Sequence, residues 1–251
     1  MAMKWIISDI DGCLSPEESV AWDLEAFGEF ARRVRRNADG RGPQLPLTLC
    51  SGRPQPYLEV LAKALDIRAT MICENGAVLY SLHDNWSRYG PGVTPEKILG
   101  VQAVRGFLET EILPSAPEVL LQFGKHAQVS VYSPRPEALE PIKQRVETFI
   151  AERGGPEFVL DISVYYLNVS LAGVNKGATL SALLGELDAT RDEVVGIGDS
   201  VGDLPLREAV GFFACPANAC DALKDVADYI SPHRDVRGML DILDHPALQR
   251  P

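Results

Sequence analysis

Short apolar runs that break into acids, serine or glycine recur along the chain, with segments of helical period between them. The stretch from Lys4 to Cys13 sets the pattern: Trp5-Ile6-Ile7 leads into Asp9 and Asp11, one residue apart, and Gly12 then lets the backbone turn. Such a run predicts a buried strand of an α/β sheet, and ligands of these sheets sit beyond the carboxyl ends of the strands. Asp9 and Asp11 are therefore candidate site residues, although Asp-x-Asp-Gly is equally the composition of a polar turn.

After Cys13, Ser15-Pro16-Glu17-Glu18 predicts a helix start of the capping-box kind. Val20, Leu24, Phe27, Phe30, Ala31 and Val34 follow at helical spacing toward a solvated basic end of Arg32, Arg33, Arg35 and Arg36. Leu47 to Cys50 predicts a second strand, closed by Ser51-Gly52-Arg53-Pro54 and followed by a helix carrying Tyr57, Leu58, Leu61 and Leu65. The Ser51 hydroxyl and the Gly52 N–H can both donate to an anion at this junction, and Ser51 as a plain helix cap is the competing reading. Thr70 to Cys73 predicts a third strand. Beyond it, Glu74-Asn75-Gly76 reads as a hairpin turn into Val78-Leu79-Tyr80 as readily as a part of a site.

From about Leu82 the rhythm changes. A helix (Ile98, Val101, Val104, Phe107, Leu108, Ile112), two strands (Val119 to Phe123, Gln128 to Tyr132), a second helix (Leu139, Ile142, Val146, Phe149, Ile150) and two more strands (Phe158 to Val164, Tyr166 to Leu171) follow one another. This αββαββ order predicts one four-stranded sheet covered on one face by two helices, an α+β insert over residues 82–172. The strand-helix rhythm resumes over residues 173–251, which with residues 1–81 form a core of the Rossmann-like parallel-sheet α/β class. Lys176-Gly177 opens a helix with Leu180, Leu183, Leu184 and Leu187, and Val194 to Ile197 is a strand ending in Gly198-Asp199-Ser200-Val201-Gly202-Asp203. Phe212-Phe213-Ala214 predicts a further strand, and Asn218 to Ala227 a further helix.

Composition narrows the chemistry. With 251 residues, 46% of them hydrophobic, the chain can build a sizeable core, and its formal charge of −11 argues against a nucleic-acid or anionic-membrane surface. An anionic substrate then needs local positive charge. Four carboxylates gathered at one point would repel each other by roughly 4 kcal/mol per pair at 4 Å and an effective dielectric near 20, so a divalent cation is expected, and all-oxygen ligands suit Mg²⁺. A phosphoryl group fits between that cation, Ser51 and Lys176. Asp9 can attack it and Asp11 can move the protons. Five cysteines (Cys13, Cys50, Cys73, Cys215, Cys220) without metal-ligand spacing read as buried thiols. The first residues carry too short an apolar run for a signal peptide and no run approaches a membrane span, so a cytoplasmic location is expected.

These motifs, in this order, make the sequence resemble the haloacid dehalogenase superfamily of phosphohydrolases. Within it the resemblance is to the Cof-like branch, subfamily IIB, with a C2-type cap inserted after the third core strand. Asp9-Ile10-Asp11-Gly12, Ser51-Gly52-Arg53, Lys176-Gly177 and Gly198 to Asp203 look like its four motifs. The resemblance implies that Asp9 is the nucleophile and a Mg²⁺ ligand. It makes Asp11 the acid/base, binding the metal through its backbone carbonyl. Ser51, Gly52 and Lys176 are implied to hold the phosphoryl group, and Asp199 and Asp203 to complete the metal shell.

Glu74-Asn75-Gly76 and Ala214-Cys215-Pro216-Ala217-Asn218-Ala219 look like the archaeal-type phosphoglycolate phosphatases, and sugar-phosphate phosphatases of the branch are also similar. Arg53, Asn75 and Asn218 are accordingly candidates for the substrate pocket, with Asn218 as a helix cap the competing reading. Cys13 stands where the family usually has Thr, and Gly202 where it usually has Asn. The expected activity is hydrolysis of a small phosphorylated metabolite through an aspartyl-phosphate; phosphotransfer and a catalytically silent binding protein are the alternatives. Substrate selection would fall to the cap, where Lys125, His126, Arg88 and Tyr132 are candidates, and the sequence leaves the oligomeric state open.

Overall fold

The computed structural model describes residues 2–17, 20–163 and 165–250. In chain order the elements are β1 (Trp5–Ser8), α1 (Leu24–Asn37), β2 (Leu47–Leu49), α2 (Gln55–Leu65), β3 (Met71–Cys73), β4 (Val78–Ser81) and β5 (Trp86–Tyr89). Then come α3 (Pro95–Phe107), β6 (Leu120–Leu121), β7 (Val129–Tyr132), α4 (Leu139–Arg153), β8 (Phe158–Ser163) and β9 (Tyr166–Leu171). The chain finishes with α5 (Lys176–Leu183), β10 (Val194–Ile197), α6 (Leu204–Glu208), β11 (Phe212–Cys215), α7 (Asp221–Lys224), β12 (Tyr229–Ile230) and α8 (Asp235–Asp244). Two compact units result, one from Met1–Arg88 with Asn175–Pro251, the other from Tyr89–Val174.

In the first unit five strands form a parallel sheet in the order β12-β11-β10-β1-β2. Strands buried on both faces read as continuous apolar runs, which is why Trp5 to Ile7 and Val194 to Ile197 show no alternation. Ile7, Leu180, Leu183, Leu206, Val210 and Phe213 meet in the core between this sheet and its helices. Each such side chain contributes about 1.5–3 kcal/mol by leaving water. A single parallel bridge, Cys50 with Ile72, links the end of β2 to β3, which pairs antiparallel with β4 in the predicted hairpin.

Three expectations need correction here. Helix α1 starts at Leu24, not at Pro16: its cap is Asp23, which accepts from the Ala26 N–H at 3.0 Å, while the Ser15 hydroxyl donates to its neighbour's carbonyl. The Gly12 N–H donates to the Ser15 carbonyl at 2.7 Å, so a turn claims the residues that local capping grammar offered to a helix. Val20 and Leu24 are accordingly 62% and 73% exposed, whereas Phe30 and Val34 are buried; Glu18 of the expected capping box lies outside the described residues. The arginine-rich end is not merely solvated: Arg33 pairs with Glu29 and Asp244, and Arg35 donates to the Lys63 and Ala64 carbonyls at the end of α2. The helix expected over Asn218 to Ala227 contracts to α7, because Cys220, not Asn218, stands at its cap.

In the second unit β6, β7, β9 and β8 form one antiparallel sheet in that order, with β7, β9 and β8 close to their expected bounds; Val164 lies outside the described residues. Val129, Val131, Leu167, Val169 and Leu171 are buried on one face by strand alternation. The opposite face carries Gln128, Ser130, Asn168 and Ser170, with Gln128 donating to Ser170 and Ser130 to Asn168. Lys125 is buried there and donates to Ser130 at 2.7 Å. His126 stacks on Tyr89, and Arg88 pairs with Glu186 in the first unit.

Candidate active site

The parallel register places the candidate residues. Ser8 pairs with Leu49 on one side and Ile197 on the other, so β1, β2 and β10 end level and Asp9, Asp11, Ser51 and Asp199 leave the sheet from one edge. Lys176 enters from the first turn of α5, whose cap is Asn175, accepting from the Ala178 N–H at 2.9 Å. That start is tightly seated: a Cβ on Gly177 would lie 1.9 Å from the Pro205 carbonyl oxygen, and the Thr179 hydroxyl donates to the Gly76 carbonyl at 3.0 Å.

Lys176 is not a surface lysine. It is 3% exposed, with Nζ 2.7 Å from Asp9 Oδ2 and 2.6 Å from Asp203 Oδ1. The other oxygen of Asp9 accepts the Ile10 N–H at 2.7 Å. Asp203 completes a capping box with Ser200 and also accepts the Asp199 N–H at 3.1 Å, so the same residue caps its turn and grips Lys176. Among the described residues, Asp9, Asp199 and Asp203 are the acids whose oxygens converge, each offering one within 4.8 Å of the others.

The carboxylate of Asp11 is engaged elsewhere: Arg53 Nε and Nη2 donate to its two oxygens at 2.8 and 2.6 Å. Ser51 is buried but does not cap α2; its hydroxyl oxygen accepts the Arg53 N–H at 3.1 Å. Asn75 lies in the left-handed region at φ 55° within the hairpin turn, and its side chain lies against Gly52, where a Cβ would meet it at 3.0 Å. Asn218 bridges two loops: its Nδ2 donates to the Gly12 carbonyl at 2.8 Å and its Oδ1 accepts the Asp235 N–H, at the start of α8, at 2.8 Å. Gly12 itself is required by shape, since its φ is +70° and a Cβ would fall 1.9 Å from Asp199 Oδ2.

Three buried acids face one ammonium, and their electrostatics show it. Burial, with Asp203 and Asp11 adding to it against Lys176, raises the Asp9 carboxyl to about 7. Burial, then Asp9 and Asp203, raises Asp199 to about 9. Burial alone would lower the Lys176 ammonium, but Asp203 and Asp9 outweigh it and hold it above its usual range. Asp9 and Asp199 thus answer an excess of negative charge by taking up protons, and a divalent cation among all-oxygen donors fits the same deficit.

A pH dependence follows for the metal-free protein. Asp9 and Asp199 hold protons in the folded state that the unfolded chain releases near 4, so their contribution to stability is full below that and is lost as pH rises through about 7 and about 9. Lys176 stays protonated in both states across this window. Thermal unfolding in chelator should therefore fall in midpoint from pH 5 to pH 9, and Mg²⁺ should flatten the decline. A midpoint that rises with pH over this window would contradict the charge account.

The two departures from the family pattern are mild. Cys13 is fully buried, and burial followed by Asp199 and Asp9 drives its thiol well above the usual range, so it stays neutral. Gly202 is exposed and has room for a side chain. Sequence reasoning missed Asn175, although an asparagine directly before a helix start is a legible cap signal. It also missed Tyr57 as the ring beneath Arg53, 5.1 Å from its centroid.

The family model for haloacid dehalogenase-like hydrolases matches residues 118–243. The chain belongs to this family. As a haloacid dehalogenase-like hydrolase it has Lys176, Asp199, Asp203 and Asn218 within the matched segment. Curated relatives extend over nearly the whole length. A phosphoglycolate phosphatase of Methanospirillum hungatei is 27% identical over 96% of this chain and 95% of its own. One of Archaeoglobus fulgidus is 27% identical over 98% of both. Among solved structures, Thermoplasma acidophilum 0175 shares the fold at a TM-score of 0.72 and 23% identity, covering 98% of each chain. A haloacid dehalogenase-like hydrolase from Bacteroides thetaiotaomicron does so at 0.72 and 20%, covering 96% of this chain and 98% of that one.

Proposed function

We propose that the chain is a Mg²⁺-dependent phosphatase that hydrolyses a small phosphorylated metabolite, phosphoglycolate or a sugar phosphate, through an aspartyl-phosphate on Asp9. The observation that carries this reading is the setting of Asp9. It sits buried at the head of β1, with one oxygen on the Ile10 N–H and the other on Lys176, which aims a carboxylate rather than capping a turn. The names of the full-length relatives support phosphoglycolate.

Asp9 attacks phosphorus as the ester oxygen leaves. Ser51, the Gly52 N–H and Lys176 hold the equatorial oxygens, where charge spreads during in-line transfer. Asp11 protonates the departing oxygen and then takes a proton from the water that cleaves the acyl phosphate. Asp9, Asp199, Asp203 and the Asp11 carbonyl would hold Mg²⁺, which would supply charge neutralisation at the phosphoryl group. Lys176 has a further task, fixing Asp9 relative to Asp203 so that the attacking oxygen is ordered before substrate arrives. Among the described residues no helix is long and apolar enough to cross a membrane.

A panel of phosphorylated metabolites assayed for phosphate release with Mg²⁺ and with chelator tests this reading. The expected result is release from at least one short phosphate monoester that chelation abolishes. Release indifferent to chelation, or none from any ester, would overturn it.

A further inference from the structure

The fork that holds Asp11 is left unexplained by proton transfer alone. Both Asp11 oxygens accept from Arg53, at 2.8 and 2.6 Å, so the resting carboxylate is committed to the guanidinium. The pair is within reach of a ligand, its side chains retaining 29% and 27% exposure against 4% and 9% for Lys176 and Asp9. Arg53 is steadied independently of Asp11. Its guanidinium lies over Tyr57 in the first turn of α2, its N–H donates to the Ser51 hydroxyl, and its carbonyl accepts the Glu74 N–H at 3.1 Å. The fork therefore belongs to the Ser51-Gly52 turn and stays beside it whichever carboxylate fills it.

We propose that Arg53 is a carboxylate receptor whose resting occupant is Asp11 and whose working occupant is a carboxylate of the substrate. This deepens the phosphatase reading of the same site and rests on it. Exchanging one carboxylate for another in a planar fork keeps both N–H···O bonds and the charge pairing, and it releases both Asp11 oxygens for their proton work. One side chain separates the fork from the backbone assigned to the phosphoryl group. The two anionic groups of the ligand must then be a few bonds apart, and the selected class is a short phosphate monoester with a carboxylate close to its ester oxygen.

The test is equilibrium binding to the full chain with Mg²⁺, by calorimetry, of 3-phosphonopropionate and of its neutral amide, neither of which can be hydrolysed. The wild type should bind the acid about tenfold to a hundredfold more tightly than the amide, the range for a hydrogen bond to a charged group. Arg53→Gln should bring that ratio near one and Arg53→Lys should restore part of it, with both variants unfolding near the wild-type temperature. A wild type without preference, or a preference that survives Arg53→Gln, overturns the receptor. Because no turnover is needed, the two readings separate. Phosphate release without carboxylate preference would sink Arg53 alone, and carboxylate preference without release from any ester would sink the phosphatase alone.

Discussion

Asp9→Asn lowers phosphate release by on the order of 10⁴-fold or more, the scale of losing a covalent nucleophile, while the protein remains folded. The amide keeps the shape and can still accept the Ile10 N–H, so the head of β1 need not move. The metal-free variant should unfold at the wild-type temperature or above it, because the acid it replaces is buried among other acids and already holds its proton until about pH 7. Activity and stability thus part company. Thermal unfolding beside a phosphate-release assay checks both, and a variant that keeps more than a few per cent of wild-type turnover would contradict the assignment.

Lys176→Met has the opposite signature, with fold and activity failing together. Lys176 is the cation between Asp9 and Asp203, and removing one member of a buried pair leaves the other charge uncompensated, at a cost of about 3–5 kcal/mol. For a chain of this length that corresponds to a midpoint lower by roughly 10 °C. The loss should shrink at acid pH, where the stranded Asp9 carboxylate takes up a proton. Turnover should fall by about 10²–10³-fold through loss of phosphoryl stabilisation. A Lys176→Met protein that unfolds with the wild type at pH 8 would show that the buried pairing carries little energy.

Much of this site is legible along the chain because parallel strands buried on both faces announce themselves as apolar runs, and their ends are where acids and Ser-Gly stand out. Asp9, Ser51 and Asp199 are found by that rule alone, since level strand ends bring to one edge what lies far apart in sequence. Lys176 is found by its place at a helix start, but its burial is not legible, because that depends on Pro205 and Gly76 closing around α5. The start of α1 misleads for a physical reason: Ser15-Pro16 satisfies local capping grammar, yet the turn following Asp11 uses the Ser15 carbonyl first. Helix α8 carries Val236, Met239, Ile242 and Leu243 on its buried side, a helical period that the sequence shows. The Arg53–Asp11 fork has no local signal, since its members are 42 residues apart and meet only once β1 and β2 align.

The central claim is that the Asp9 carboxylate becomes covalently phosphorylated during turnover. Enzyme quenched in acid while turning over a phosphate monoester with Mg²⁺, then reduced with borohydride and mapped by peptide mass spectrometry, tests this directly, because an acyl phosphate is reduced to an alcohol and a free carboxylate is not. The account predicts homoserine at position 9 in the wild type. Reduction at Asp11 or another acid, or an unmodified position 9 under conditions of rapid turnover, would contradict it.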